Sequence, residues 1–127
     1  MIRVIVESPF AGAERLNMRY LRAALLDCFR RNEAPFASHA LYPQVLSDAD
    51  PEERKLGIRA GLLWGTAAEK TVVYYDLGVS GGMDEGIKHA DVHKREVEWR
   101  TLGAAWDEWR NSPLTVWKRR PPNGNEK

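Results

Sequence analysis

The sequence contains only one cysteine, Cys28, which excludes an internal disulfide and a cysteine-rich metal site. Cys28 lies in a helical pattern, where two interpretations stay open: a buried small hydrophobic side chain and a reactive thiol. An excess of charge of either sign is also lacking, because 19 Lys and Arg face 18 Asp and Glu. The resulting net charge of +1 favours neither nucleic acid nor an acidic membrane as a partner, and we expect neither.

No run of 18 apolar residues occurs, and charge interrupts the first ten residues too early for a signal peptide. We therefore expect a cytoplasmic protein that makes no contact with membranes. A hydrophobic share of 43 % and a charged share of 29 % are typical of a globular domain. We predict a single domain over residues 1–111, followed at 112–127 by a flexible, proline-rich tail that carries the basic triplet Lys118-Arg119-Arg120.

Two common nucleotide-binding motifs are missing. The Walker pattern with its lysine and the G-x-G-x-x-G pattern are both absent, so neither a nucleoside triphosphatase nor an ordinary dinucleotide oxidoreductase is supported. His89 and His93 have the four-residue spacing of a helical metal site, but the glutamate of H-E-x-x-H is missing. Two solvated histidines at a helix end are the other interpretation, and we expect no metal and no cofactor.

The hydrophobic pattern predicts strands and helices in alternation. Strands are expected at 2–6, 34–39, 71–75 and 96–102, and helices at 14–32, 51–68, 83–90 and 104–110. The second strand is short, is broken by Pro35, and is expected to deliver Ser38 and His39 to a loop. This order predicts an α/β, Rossmann-like three-layer sandwich, with a mostly parallel sheet of four or five strands and helices on both faces. Asp50, Pro51 and Glu53 predict an N-cap, a first helical residue and a capping box. The apolar stripe of this helix favours Trp64 in the core over Trp64 as a stacking surface.

In such a sheet the ligand crevice lies beyond the carboxyl ends of the strands. Asp76 follows the third strand, and the small-residue turn from Gly78 to Gly82 opens a helix whose N–H groups point towards a ligand. Glu85 lies in the first turn of that helix, where it could equally be an ordinary helix-start acid. Asn17 is either solvated or a ligand contact, and His39 is either structural or part of the crevice. Arg54 and Arg59 are either solvated or, one of them, a phosphate contact.

Several short runs carry a resemblance. The opening strand is followed by E-S-P-F, Asn17 lies on the first helix, and Asp76 is followed by S-G-G-M-D-E-G. These features resemble the nucleoside 2-deoxyribosyltransferase superfamily and its nucleotide-binding SLOG relatives. The longer runs E-A-P-F-A-S-H-A-L-Y-P-Q-V-L, D-P-E-E-R and Y-D-L-G-V-S-G-G-M are similar to a family of small phage and bacterial proteins placed beside that superfamily, over about residues 3–102.

The resemblance implies a mechanism. In the transferases a strand-end aspartate contacts the nucleoside, and a glutamate after the turn attacks the anomeric carbon to form a glycosyl-enzyme. Asp76 and Glu85 match these two positions, with Ser80 and Gly81 on the turn. A carboxylate suits the second role because an oxocarbenium-like transition state needs an adjacent negative charge. The relatives place active sites at subunit contacts, so a homo-oligomer is also expected.

Two functions of different class follow. The first is an enzyme that cleaves or transfers the N-glycosidic bond of a nucleoside or nucleotide, with Glu85 as nucleophile and Asp76 positioning the sugar or base. The second is a protein that binds or sequesters a nucleotide without turnover, because Gly82 and Met83 replace the small polar and apolar pair usual in the transferases. The predicted ligand-binding residues are Ser8, Pro9, Phe10, Asn17, His39, Gly78, Ser80, Gly81, Gly82 and Met83.

Overall fold

The computed structural model describes residues 1–110, and in this range the fold is α/β. One parallel sheet contains four strands in the order β2-β1-β3-β4. The strands are β1 (Ile2–Glu7), β2 (Glu33–Phe36), β3 (Lys70–Tyr74) and β4 (Glu96–Arg100). The helices are α1 (Glu14–Arg30), α2 (Ser38–Leu41), α3 (Pro51–Gly65), α4 (Gly81–Val92) and α5 (Ala104–Arg110), with a 3-10 turn at Tyr42–Gln44. The predicted Rossmann-like fold class is confirmed, whereas the predicted tail at 112–127 lies outside the described residues.

The main core lies on the face of the sheet that carries α1 and α5. Successive strand residues point to opposite faces, so Val4 and Val6 share this face with Val72. These side chains are almost completely buried and pack with Tyr20 of α1 and Trp106 of α5. The opposite face, with Ile5 and Glu7, is the one that α4 approaches. Within the described range, none of the helices combines the length and apolarity needed to cross a membrane.

A buried ion pair crosses the α1 face of the sheet. The guanidinium of Arg100 donates two hydrogen bonds to the carboxylate of Glu33, at 2.8 and 2.7 Å, and Arg100 also donates to the Tyr74 hydroxyl at 2.9 Å. Charges in a core require such complete pairing. Cys28 lies 3.5 Å from the same hydroxyl and is fully buried, and burial raises the pKa of its thiol to about 11. Cys28 is therefore the buried small side chain of the first interpretation.

The largest side chains of helix α3 point away from the rest of the protein. Trp64 is 57 % exposed, so its predicted place in the core is wrong, and Leu63 is 71 % exposed. The inward face carries glycines instead. A Cβ at Gly61 would lie 2.6 Å from the Ser38 Oγ, and one at Gly65 would lie 3.1 Å from the Arg95 Nη2. The close approach of neighbouring side chains to these glycines explains why the apolar stripe is turned outwards.

Two local predictions also differ from the structure. Ser38 and His39 begin the short helix α2 and not a loop, because β2 ends at Phe36. Asp50 caps α3 as predicted and accepts hydrogen bonds from the N–H groups of residues 52 and 53. The predicted capping box is wrong, since the carboxylate of Glu53 accepts from the N–H of Ser47 at 2.6 Å.

Candidate functional site

A cavity of about 250 Å³ opens on the α3 and α4 side of the sheet, at the carboxyl ends of β1 and β2. This is where a parallel α/β sheet is expected to hold a ligand. The volume is at the small end for ligand pockets, which suits a small molecule. Eight of the twelve predicted site residues line it: Ser8, Phe10, His39, Ser80, Gly81, Gly82, Met83 and Glu85. The other four, Pro9, Asn17, Asp76 and Gly78, are not part of its wall.

The start of α4 forms one wall of the cavity. Ser80 is the N-cap, and its hydroxyl accepts a hydrogen bond from the Met83 N–H at 3.3 Å. The N–H groups of Gly81 and Gly82 have no partner within the helix, as at any helix start. No atom lies within 4 Å of the position that a Cβ would take at either glycine. The backbone here is therefore open to a ligand that accepts hydrogen bonds.

The run G-V-S-G-G around Ser80 also fits the G-x-S-x-G pattern of serine hydrolases. In that class of enzyme the serine lies on a sharp, strained turn directly between a strand and a helix. Ser80 has φ −89° and ψ 170°, an unstrained N-cap conformation, and β3 ends at Tyr74, well before it. The geometry of a nucleophile elbow is therefore not formed here.

Glu7, at the end of β1, is a cavity residue that the sequence reasoning missed. Its carboxyl packs against α4 at Gly86, where a Cβ would overlap the Glu7 Oε2. Burial raises the pKa of Glu7 to about 8, although the positive charge of Arg95 lowers it. At neutral pH the carboxyl is mostly protonated and can donate a proton. The signal that could have found Glu7 is its position at a strand end, the same signal that pointed to Asp76.

Arg95, just before β4, is the second residue that was missed. It is 9 % exposed, and its Nε donates to the Thr71 Oγ1 at 2.9 Å while its Nη2 lies 3.2 Å from the His89 Nδ1. The buried Nη1 has no hydrogen-bond partner among residues 1–110. An unpaired buried donor costs about 1–3 kcal/mol, so an acceptor that reached this nitrogen would be bound favourably. No local pattern marks Arg95, because it reaches the cavity only by the length of its side chain.

Ser8 and His39 form a polar pair on the cavity wall. The Ser8 Oγ lies 2.8 Å from the His39 Nε2, and the imidazole tautomer decides which of the two donates. Burial lowers the pKa of His39 to about 4, so the imidazole is neutral at pH 7. His39 therefore combines both interpretations, since it lines the cavity and also makes a structural hydrogen bond. Arg54 also lines the cavity and pairs with Asp48 at 3.5 Å, whereas Arg59 is not part of the wall.

Asp76 and Asn17 hold loops in place behind the cavity wall. The carboxylate of Asp76 accepts hydrogen bonds from the Tyr20 hydroxyl at 2.5 Å and from the N–H groups of Leu102 and Gly103 at 2.8 and 3.0 Å. Burial alone would raise the pKa of Asp76, but these hydrogen bonds outweigh it and hold the pKa below its ordinary value. Asn17 is 6 % exposed, so the solvated interpretation is wrong, and its amide donates to the carbonyl of Phe10 at 2.9 Å.

The two histidines of α4 lie next to each other, with ring centroids 4.1 Å apart. His93 is exposed, and its Nδ1 lies 3.0 Å from the carbonyl of His89. Burial, with the nearby charges of His93 and Arg95, lowers the pKa of His89. Within residues 1–110 no three His, Cys, Asp or Glu side chains are grouped so that they could hold a metal ion.

The fold and the cavity together define a small Rossmann-like α/β domain with a crevice at the carboxyl ends of its strands. Residues 2–100 match the family model described as a domain of unknown function, DUF7768, and the chain belongs to that family. Among curated proteins and among solved structures, the comparisons find no match to the chain.

Proposed function

We propose that the protein cleaves or transfers the N-glycosidic bond of a nucleoside or nucleotide, as the resemblance to nucleoside 2-deoxyribosyltransferases implies. The observation that carries the proposal is that Glu85 on α4 and Glu7 at the end of β1 line one cavity, together with two further carboxyls, those of Asp48 and Glu53. Breaking a glycosidic bond commonly uses two carboxyls with different protonation states. Burial keeps Glu7 protonated at neutral pH, whereas Glu85 is exposed to solvent at the cavity wall.

In this proposal Glu85 is the nucleophile. Its carboxylate attacks the anomeric carbon, and water or an acceptor base then resolves the glycosyl ester. The open N–H groups of Gly81 and Gly82, with Ser80, hold a hydroxyl or phosphate of the substrate. Asp76 keeps the loop after β4 in place, because its carboxylate is fully engaged there, and it takes no part in the chemistry.

The test is incubation with deoxynucleosides and their monophosphates, with and without a free acceptor base. Mass spectrometry measures released base and a glycosyl adduct on the protein. The matched variants are Glu85→Ala and Asp84→Ala, since Asp84 is the neighbouring exposed carboxylate on α4 but does not line the cavity. We expect Glu85→Ala to abolish turnover and Asp84→Ala to retain it. Turnover by the Glu85→Ala protein would remove Glu85 from the nucleophile role.

A second candidate function is nucleotide binding without turnover. It is favoured by groups that bind an anion or a carbonyl but do no chemistry, namely the unpaired Nη1 of Arg95 and the open N–H groups at the start of α4. Equilibrium dialysis with nucleoside monophosphates distinguishes the two functions. Retention of the intact nucleotide by the wild type and by Glu85→Ala alike, with no released base, would favour this second function.

The expected homo-oligomer is part of the proposal. It is supported by the exposed apolar side chains of α3, since Leu63 and Trp64 are 71 % and 57 % exposed. Large exposed apolar groups on neighbouring positions often mark a contact between proteins. Size-exclusion chromatography with light scattering measures the mass in solution, and a monomer at every concentration would contradict this part.

A further inference from the structure

Glu7 is an ionisable group of the cavity that has no part in the nucleophilic step proposed for Glu85. The end of its carboxyl is packed against the backbone of α4 at Gly86, and the positive charge of Arg95 acts on it. Glu7 lies at the end of β1, beside α4, and lines the cavity. Burial makes ionisation of this carboxyl less favourable, so Glu7 keeps its proton into the neutral range on the wall of the cavity.

We propose that Glu7 is a catalytic residue that protonates the base as it leaves the sugar. The role rests on the proposed function, and it goes beyond the nucleophile that the resemblance implies. The nitrogen of a leaving base carries an electron pair after the bond to the anomeric carbon breaks. A proton donor in the same cavity as the nucleophile makes that base a better leaving group.

The carboxylate oxygen of Glu85 bonds to the anomeric carbon while the carbon–nitrogen bond breaks, and its electron pair stays on the base. The proton of Glu7 passes to a nitrogen of the base, which leaves Glu7 as a carboxylate. A water molecule or an acceptor base then attacks the anomeric carbon and releases Glu85, and Glu7 takes up the proton that this nucleophile loses.

Arg95 is a positioning residue for this transfer. Its charge attracts the carboxylate that Glu7 becomes, which lowers the pKa of Glu7. Burial therefore keeps Glu7 protonated before the reaction. After the proton has left, the guanidinium of Arg95 stabilises the Glu7 carboxylate. The ionisable groups that line the cavity from the other elements are His39 of α2, Tyr42 of the 3-10 turn, Glu53 and Arg54 of α3, Glu85 of α4, Arg95 and, before α3, Asp48.

Two substrates separate proton donation from the rest of the reaction. The first is a purine deoxynucleoside, and the second is its N7-methylated form, whose cationic base needs no proton in order to leave. We expect Glu7→Gln, a substitution of nearly the same shape, to lower kcat/KM on the first substrate by roughly 10²- to 10⁴-fold. On the methylated substrate the same variant should stay within a few-fold of the wild type.

The pH profile of the wild type gives a second reading that needs no variant. On the fastest substrate that carries an uncharged base, kcat/KM should fall above a pH of about 8, the pKa of Glu7. The methylated substrate should not show this fall. Thermal unfolding of Glu7→Gln confirms that the variant is folded.

The outcomes separate this role from the proposed function. If the wild type releases no base from any substrate, the proposed function is wrong and this role falls with it. If the wild type is active but Glu7→Gln loses the same factor on both substrates, only the role of Glu7 is wrong. A wild type that cleaves the methylated substrate alone, or that shows no fall in kcat/KM above a pH of about 8, overturns the role in the same way.

Discussion

The Oε2 of Glu7 occupies the position that a Cβ of residue 86 would take, so the glycine at 86 is what allows this carboxyl to lie against α4. The helix accepts a less favourable residue in its interior for this contact. Glycine costs a helix about 0.5–1 kcal/mol relative to alanine. A carboxyl and a glycine from distant parts of the chain therefore form one structural unit of the cavity.

Gly86→Ala tests this relationship through a double-mutant cycle. In a Glu7→Ala background the three atoms nearest to the added methyl group are removed, and we expect it to raise the free energy of unfolding by about 0.5–1 kcal/mol. In the wild type the methyl group must displace the Glu7 carboxyl, so that gain should be lost or reversed. Urea denaturation of the four proteins measures the coupling. An equal gain in both backgrounds would show that Glu7 and Gly86 do not interact.

Gly61 and Gly57 of α3 differ in the space around them. Gly61→Ala would place a methyl group 2.7 Å from the Cβ of Ser38, a short side chain that cannot move away. We expect α3 to shift, with a loss of about 1–3 kcal/mol of stability. Gly57→Ala is the matched control, since its nearest neighbour would be the Leu46 Cδ1 at 3.4 Å. Thermal unfolding should show a loss for Gly61→Ala alone, and similar losses for both would contradict the assignment.

The fold was predictable because its signals are local. The buried runs around Val4 and Val72, and the N-cap at Asp50, are each visible within a few residues. The rule that a ligand crevice lies at the carboxyl ends of parallel strands then located the cavity. The orientation of α3 could not be predicted, because it depends on the approach of Ser38 and Arg95 to glycines that are far from them in sequence.

The choice between two strand-end acids was also beyond the sequence. Glu7 and Asp76 both follow buried strands, and the same signal pointed to each. Glu7 shares a strand face with Ile5, which α4 covers, and so enters the cavity. Asp76 is held by the Tyr20 hydroxyl and by the N–H of Leu102. Both partners come from elements far away in sequence, so no local pattern separates the loop-bracing acid from the cavity acid.

Asp76→Ala should be destabilising. It leaves the N–H groups of Leu102 and Gly103 and the hydroxyl of Tyr20 without their acceptor, and an unpaired buried polar group costs about 1–3 kcal/mol. We expect the midpoint of urea unfolding to fall clearly, whereas Asp84→Ala, at an exposed carboxylate, should change it little. Unchanged stability with a lost ligand affinity would instead assign Asp76 to the ligand.

Glu7 and His39 make the stability of the protein change with pH in opposite directions. The pKa of Glu7 is raised from 4.5 to about 8, so the folded state holds this proton more tightly and stability falls as the pH rises between these values. The pKa of His39 is lowered from 6.5 to about 4, so the unfolded state binds that proton first. The contribution of His39 to stability is therefore lost as the pH falls from 6.5 to about 4.

The two contributions oppose each other where their ranges overlap, below a pH of about 6.5, and above it only Glu7 acts. We therefore expect the free energy of unfolding to decrease between pH 6.5 and 8 by at most about 1.4 kcal/mol per pH unit. Glu7→Gln should remove this decrease and leave the rise with pH that His39 produces below 6.5, whereas His39→Gln should extend the decrease to lower pH. Urea denaturation across this range measures all three proteins. A decrease above pH 6.5 that persists in Glu7→Gln would show that the raised pKa belongs to another group.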